Sequence, residues 1–171
     1  MLIKISNFED IDSRKLMDIY SESNFENTNY FFPDEKDKSK AVNQVEEGFL
    51  NFLKIEFFKK EDAIYWVLEE NGDWKCALRT CKVEENIYYL EALETAPCQR
   101  KRGYGSKLLS LVVEEFKKMG SFKLCGCVSK NNRASLAVHQ KCGFQIVGDN
   151  GYDYLRKETN EYDYALECRY I

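Results

Sequence analysis

Residues 93–119, LETAPCQRKRGYGSKLLSLVVEEFKKM, change character three times in a short distance. They continue an apolar, β-type run over 87–96 that stops at Pro97. A basic turn punctuated by glycine follows, Gln99-Arg-Lys-Arg-Gly-Tyr-Gly105. A helical stripe then opens with Leu108, Leu109, Val112, Val113, Phe116 and Met119, and Gly120 stands where a helix-terminating glycine belongs. The order is strand, glycine turn, helix. In that order the first backbone N–H groups of the helix point into the turn, and the helix dipole favours an anion there. Gly103 and Gly105 let a ligand approach the main chain with no Cβ in the way.

The familiar nucleotide loops do not fit this turn. A dinucleotide fingerprint needs a third glycine where this chain has Leu108, and a P-loop needs Gly-Lys-Ser/Thr where this chain has Gly105-Ser106-Lys107. What remains is Arg100-x-x-Gly103-x-Gly105.

Composition restricts the rest. A chain of 171 residues fits one domain, 1–171, with a sizeable core. Its net charge is −4, so the basic run at 100–107 is a local feature, and bulk attraction to nucleic acid or an anionic membrane is not expected. No apolar run approaches the ~20 residues of a membrane span, and the start of the chain lacks a basic-then-apolar signal pattern. The seven cysteines, an odd number without C-x-x-C spacing, fit neither a disulfide framework nor a zinc site, and no metal is expected. These features point to a reducing cytoplasm.

Taken in order, Leu2–Ile5 reads as a short strand, and Asp12 or Ser13 caps a first helix carrying Leu16, Met17 and Tyr20. The stretch 23–37 has no period and reads as an aromatic loop with Phe25, Tyr30, Phe31 and Phe32, packed on the core or lining a pocket. A second helix is predicted from Lys38 to about Lys60, with a core stripe from Ala41 to Phe57. Strands at 63–68, 74–83 and 87–96 form an antiparallel meander, with Asn71-Gly72 as a hairpin turn. The strand 122–128, reached through the helix, then implies a parallel pair with 87–96 by right-handed crossover. Its Gly126 marks a close approach of ligand or backbone. A helix from about Ser129 to Cys142 places Asn132, Ser135 and His139 on one face. A strand at 144–147, a polar loop over 148–161 and an alternating strand from Tyr162 to Tyr170 close the chain.

Two segments carry a resemblance. Arg100-x-x-Gly103-x-Gly105 resembles the acyl-CoA pyrophosphate loop of the GCN5-related N-acetyltransferase (GNAT) superfamily, and Asn132 through His139 to Lys141-x-Gly143-Phe144 resembles its second signature. The element order over nearly the whole chain is also similar. The resemblance implies an α/β (α+β) fold, a central mixed, mostly antiparallel sheet flanked by about four helices. It implies an acetyl-CoA-dependent N-acetyltransferase moving the acetyl group directly to a primary amine of a small molecule or peptide.

Carried over by position, the resemblance gives the backbone from Arg100 to Ser106, with Tyr104 inside it, to the pyrophosphate. Arg100, Lys101 and Arg102 add charge near the phosphates. The main chain at Leu93, Glu94 and Thr95 pairs with the pantetheine amides, and Asn132, with Ser135 and His139 on its face, meets the pantetheine arm. His139 takes a position where most members have tyrosine and is the candidate proton donor to the departing thiolate. Glu91 and Glu94 are the candidate bases. A regular strand turns only one of them to the site unless a bulge intervenes, and analogy with members carrying a glutamate earlier in this strand favours Glu91. Aromatic residues 25–32 and the loop 148–161 flank the expected acceptor groove, and the acidic balance of the chain suggests a cationic amine. The alternative readings are an acyl-CoA-binding regulatory module without turnover and, less compatible with the charge, a nucleic-acid-binding protein. The apolar terminal strand leaves a homodimer open.

Overall fold

The computed structural model describes all residues, 1–171. Nine strands and five α-helices are present: β1 Leu2–Ile5, α1 Ser13–Ile19, α2 Ser21–Phe31, α3 Lys38–Ile55, β2 Ile64–Glu70, β3 Asp73–Glu84, β4 Ile87–Thr95, α4 Tyr104–Met119, β5 Phe122–Ser129, α5 Arg133–Lys141, β6 Gln145–Gly148, β7 Gly151–Asp153, β8 Glu158–Asn160 and β9 Asp163–Tyr170. Seven strands form one sheet in the order β1-β2-β3-β4-β5-β9-β6, and β7-β8 is a separate hairpin. The sheet is antiparallel except for the β4–β5 pair, as the crossover through α4 requires. The mixed, mostly antiparallel sheet of the sequence reading is present, with five flanking helices where about four were expected.

Both faces of the sheet are covered. Trp66, Leu78, Leu90 and Leu124 pack beneath the α4 stripe of Leu108, Leu109, Val112, Val113 and Phe116. On the opposite face Tyr65, Val67, Ala77 and Cys81 meet Leu16, Tyr20, Leu53 and Phe57. Local signals set the frame. Asp12 caps α1 and Asp37 caps α3, each accepting from the N–H three residues on. Asn71 and Gly72, with φ of 56° and 80°, close the β2–β3 hairpin in the left-handed conformation such a turn requires.

Several expectations need correction. The stretch 23–37 is no loop at its start, because Ser21–Phe31 is helical. Its buried residues are Asn24 and Thr28, so the inward face is polar and leaves no apolar period to read. The second helix stops at Ile55, and a 3₁₀ turn at Phe57–Lys59 lets Phe57 enter the core. The polar loop 148–161 contains the β7–β8 hairpin. The terminal strand offers no free edge for a second chain: β9 lies between β5 and β6, and the sheet ends at β1 and β6.

Candidate active site

Pairing between β4 and β5 runs from Ile87↔Lys123 to Leu90↔Gly126 and then stops, although both strands continue. Gly126 sits at the fork, where an added Cβ would lie 3.2 Å from the Leu90 carbonyl oxygen. The glycine therefore serves a close backbone approach, one of the two causes the sequence left open. Beyond the fork the strands diverge, and the space between them is lined by Leu93, Ser129, Asn132, Ser135 and His139. The β4 backbone past Leu90 has no partner on this side and can accept an extended ligand as an added strand.

Just past the fork β4 contains a bulge. Ala92 has φ 57°, and β3 residues Ala77 and Arg79, two apart, face Glu94 and Glu91, three apart. The extra residue restores parity, so Glu91 and Glu94 lie on the same side of the sheet, the side of α1–α3. They have different surroundings. Glu91 accepts a 2.6 Å hydrogen bond from Nε of Arg79, whose guanidinium lies 4.9–5.6 Å from the ring centres of Phe49, Phe52 and Phe57. Glu94 accepts from the Ser23 hydroxyl at 3.0 Å, with Arg100 Nη2 at 3.7 Å. Burial pushes the Glu94 carboxyl up, against the opposing pull of Ser23 and Arg100.

Two concavities meet at Glu94. One is a groove of about 750 Å³ running past Leu93, Thr95, Arg100, Lys101, Gly103–Ser106, Asn132 and Ser135. Gly103 is the N-cap of α4, with φ 80°, and supplies no side-chain cap. The first helical bond is Lys107 N–H to Gly103 O, so the N–H groups of Tyr104, Gly105 and Ser106 have no helical carbonyl to meet. A pyrophosphate fits this cradle: unpaired donors, the positive end of a sixteen-residue helix, and two cationic side chains in the groove wall. Arg102 does not line the groove and instead donates to Gln99. Arg100 reaches across to Glu22, donating to both carboxylate oxygens at 2.8 and 2.9 Å. The Tyr104 hydroxyl donates to Glu70, at the β2 end.

The second concavity is a cavity of about 570 Å³ between α2, α3 and the sheet. The sequence singled out its Phe31 and Phe32, but not Ser23, Asn24, Gln44 and Arg79, which also line it. One signal was available: Gly48 interrupts the α3 stripe on the wall of this cavity. Below it a buried relay runs from the Tyr65 hydroxyl to Tyr20 at 2.8 Å, and from Tyr20 to the Ala92 carbonyl at 2.6 Å. Burial holds Tyr65 up to about 12 and raises Tyr20 as well, so both remain neutral donors that fix the bulge.

On α5, Asn132 caps the helix by accepting from Ser135 N–H at 3.0 Å, which leaves its amide NH₂ free for the groove. His139 is buried, edge-on to Phe144. Its Nδ1 lies 2.8 Å from the Ser135 carbonyl and must donate there, since a carbonyl only accepts. Burial also lowers its pKa. In the neutral ring with Nδ1 protonated, Nε2 is an acceptor.

A forked parallel pair and an uncapped helix start at the fork form the groove, and a bulged strand joins it to the cavity. The Acetyltransferase (GNAT) family profile matches residues 14–144. The chain belongs to this family and is an acyltransferase of it. A comparison with curated protein sequences gives no significant match. Among solved structures, the fold is similar to the IAA acetyltransferase from Bacillus cereus ATCC 14579 (18% identity, TM-score 0.63, 99% of each chain covered). It is also similar to PaiA N-acetyltransferase from Thermoplasma acidophilum in complex with coenzyme A (17%, 0.65, 99% of each chain). A third likeness is to the ribosomal-protein-S18-alanine N-acetyltransferase from Escherichia coli (18%, 0.62, 99% of this chain and 94% of that one). No helix is long and apolar enough to cross a membrane.

Proposed function

We propose that residues 1–171 form one acyltransferase domain, working in the cytoplasm, that moves an acetyl group from acetyl-CoA directly to a primary amine, with Glu94 as the general base. The observation that carries this reading is that Glu94 belongs to the walls of both the groove and the cavity. Acetyl-CoA supplies the activated thioester. The chain's own residues bind, orient and take the proton.

Tyr104, Gly105 and Ser106 offer their N–H groups to the pyrophosphate, Arg100 and Lys101 add charge, and Leu93–Thr95 with Asn132 hold the pantetheine arm along the fork. A backbone N–H of β4 near the bulge is placed to meet oxyanion charge at the carbonyl. An alkylammonium with a pKa near ~10 must lose a proton before attack. Transfer out of water into an apolar cavity lowers that barrier, and burial of Glu94 raises the affinity of its carboxylate for the proton. The first proton of the ammonium goes to Glu94; the neutral amine then forms the N–C bond, the oxyanion collapses with cleavage of the C–S bond, and the second proton leaves the nitrogen for the departing thiolate, giving the free thiol. Glu91 is tied to Arg79 and holds the bulge, a positioning role. His139 donates through Nδ1 to the Ser135 carbonyl within α5, a packing role that leaves no proton on Nε2 for the sulfur.

The test is thiol release from acetyl-CoA against a panel of amines, with product mass measured. Acetylated amine and stoichiometric free thiol support the proposal. Coenzyme A binding without turnover of any amine supports the regulatory-module reading instead.

A further inference from the structure

Resting on the transfer reading above, we infer that the acceptor is a monoamine carried on an apolar aryl or alkyl body, with at most one neutral hydrogen-bonding group. The same cavity disfavours polyamines, since it offers a second ammonium no carboxylate. The cavity that meets Glu94 has an apolar wall of Phe31, Phe32, Val45, Phe49 and Phe52, with Ser23, Asn24, Asn27 and Gln44 as its neutral polar groups. Its two cationic side chains have acidic neighbours outside the cavity lining: Arg79 has Glu91 at 2.6 Å, and the exposed Arg156 has Asp153 at 3.9 Å. Glu94 is its one carboxylate and belongs at the mouth, where the reacting nitrogen must sit. A second ammonium on the acceptor would meet the Arg79 and Arg156 guanidinium groups and find no second carboxylate in the wall. The negative balance of the whole chain is therefore no guide to this pocket.

Two further observations point to a ligand. Only two buried side-chain polar atoms in the structure lack a hydrogen-bond partner, Gln44 Oε1 and Arg79 Nη1, and both residues wall this cavity. Unmatched buried polar atoms are uncommon and call for a partner. Both atoms are shielded from the cavity, so one hydroxyl on the acceptor body donates to the first or accepts from the second only after the Gln44 or Arg79 side chain turns toward it. Gly48 is the other observation. It lies inside α3, an eighteen-residue helix, where glycine is less favourable than alanine, and a Cβ there would meet nothing within 4 Å. The missing side chain leaves cavity space that another residue would fill.

The experiment compares ethylamine, butylamine, 2-phenylethylamine, tyramine, spermidine and a lysine peptide, by acetyl-CoA turnover and by calorimetric binding in the presence of coenzyme A. One methylene in an apolar pocket is worth about 10-fold or more in kcat/KM. On that scale 2-phenylethylamine should exceed ethylamine by at least about 100-fold and should also exceed spermidine and the peptide. Gly48→Leu grows into open space on a helix that favours leucine. It should keep the thermal shift caused by coenzyme A and lose at least about tenfold in 2-phenylethylamine binding, since it fills the space the body needs. Preference for spermidine or the peptide overturns the inference and leaves acetyl transfer standing. Binding of 2-phenylethylamine without turnover upholds the pocket and overturns acetyl transfer. Absence of such binding, or binding indifferent to Gly48→Leu, overturns the inference whatever the turnover.

Discussion

Removing the Glu91 carboxylate strands a buried cation. The Arg79 and Glu91 side chains are 11% and 20% exposed, so solvent screens the pair weakly. Arg79 Nη1 already has no partner, and its remaining neighbours include the faces of three phenylalanines. Rings attract a guanidinium, but by about 0.5–2 kcal/mol each, less than a matched carboxylate. Breaking such a pair from one side costs about 3–5 kcal/mol. For a chain of this length, 1 kcal/mol corresponds to roughly 2–4 °C, so Glu91→Ala should lower Tm by about 6–20 °C. Glu91→Gln keeps an acceptor for Arg79 Nε and falls between the two. Arg79→Met combined with Glu91→Leu should recover most of the loss, because the stranded charge is gone. Urea unfolding at pH 7.5 measures all four proteins. A Glu91→Ala protein within about 1 kcal/mol of wild type would refute the reasoning, since the pair would then be no more than a surface contact. Assayed well below its Tm, Glu91→Gln should keep kcat within about tenfold, in contrast to loss of a general base, which costs 10²–10⁴.

Two other outcomes are expected. Burial lowers the His139 pKa in the folded state, so the unfolded chain binds the proton first, and the stability that neutral His139 contributes is lost as pH falls through about 6.5. The urea midpoint difference between wild type and His139→Phe should therefore shrink from pH 7.5 to 5.5; a constant difference contradicts the buried neutral ring. Arg100 lines the groove and Arg102 does not, so Arg100→Ala should weaken coenzyme A binding by about tenfold in calorimetry while Arg102→Ala stays within about twofold. Equal losses would return Arg102 to the phosphate site.

The strand, glycine turn and helix could be read from residues 93–119 because each signal is local: Pro97 ends the strand, Gly103 takes a left-handed φ, and the stripe from Leu108 to Phe116 has the helical period. The meander and the crossover followed from Asn71-Gly72 and from chain order. What escaped depends on partners distant in sequence. The helix Ser21–Phe31 turns Asn24 and Thr28 inward, so periodicity misses it. The bulge at Ala92 carries no residue signature, since alanine has no preference for a φ of 57°. Without the bulge, parity separates Glu91 from Glu94; with it, both face one side and their neighbours distinguish them. Those neighbours, Arg79 on β3 and Ser23 on α2, are brought together only by the fold.

The most direct test is the pH dependence of kcat/KM with acetyl-CoA and the best amine, for wild type and Glu94→Gln. Because burial raises the Glu94 carboxyl, the rate should fall on the acid side around a midpoint above the ordinary glutamate value of about 4.3. Glu94→Gln should erase that limb and lower kcat by about 10²–10⁴, with coenzyme A still bound. An unchanged acid limb, with kcat within tenfold of wild type, would contradict the assignment of Glu94 as the base.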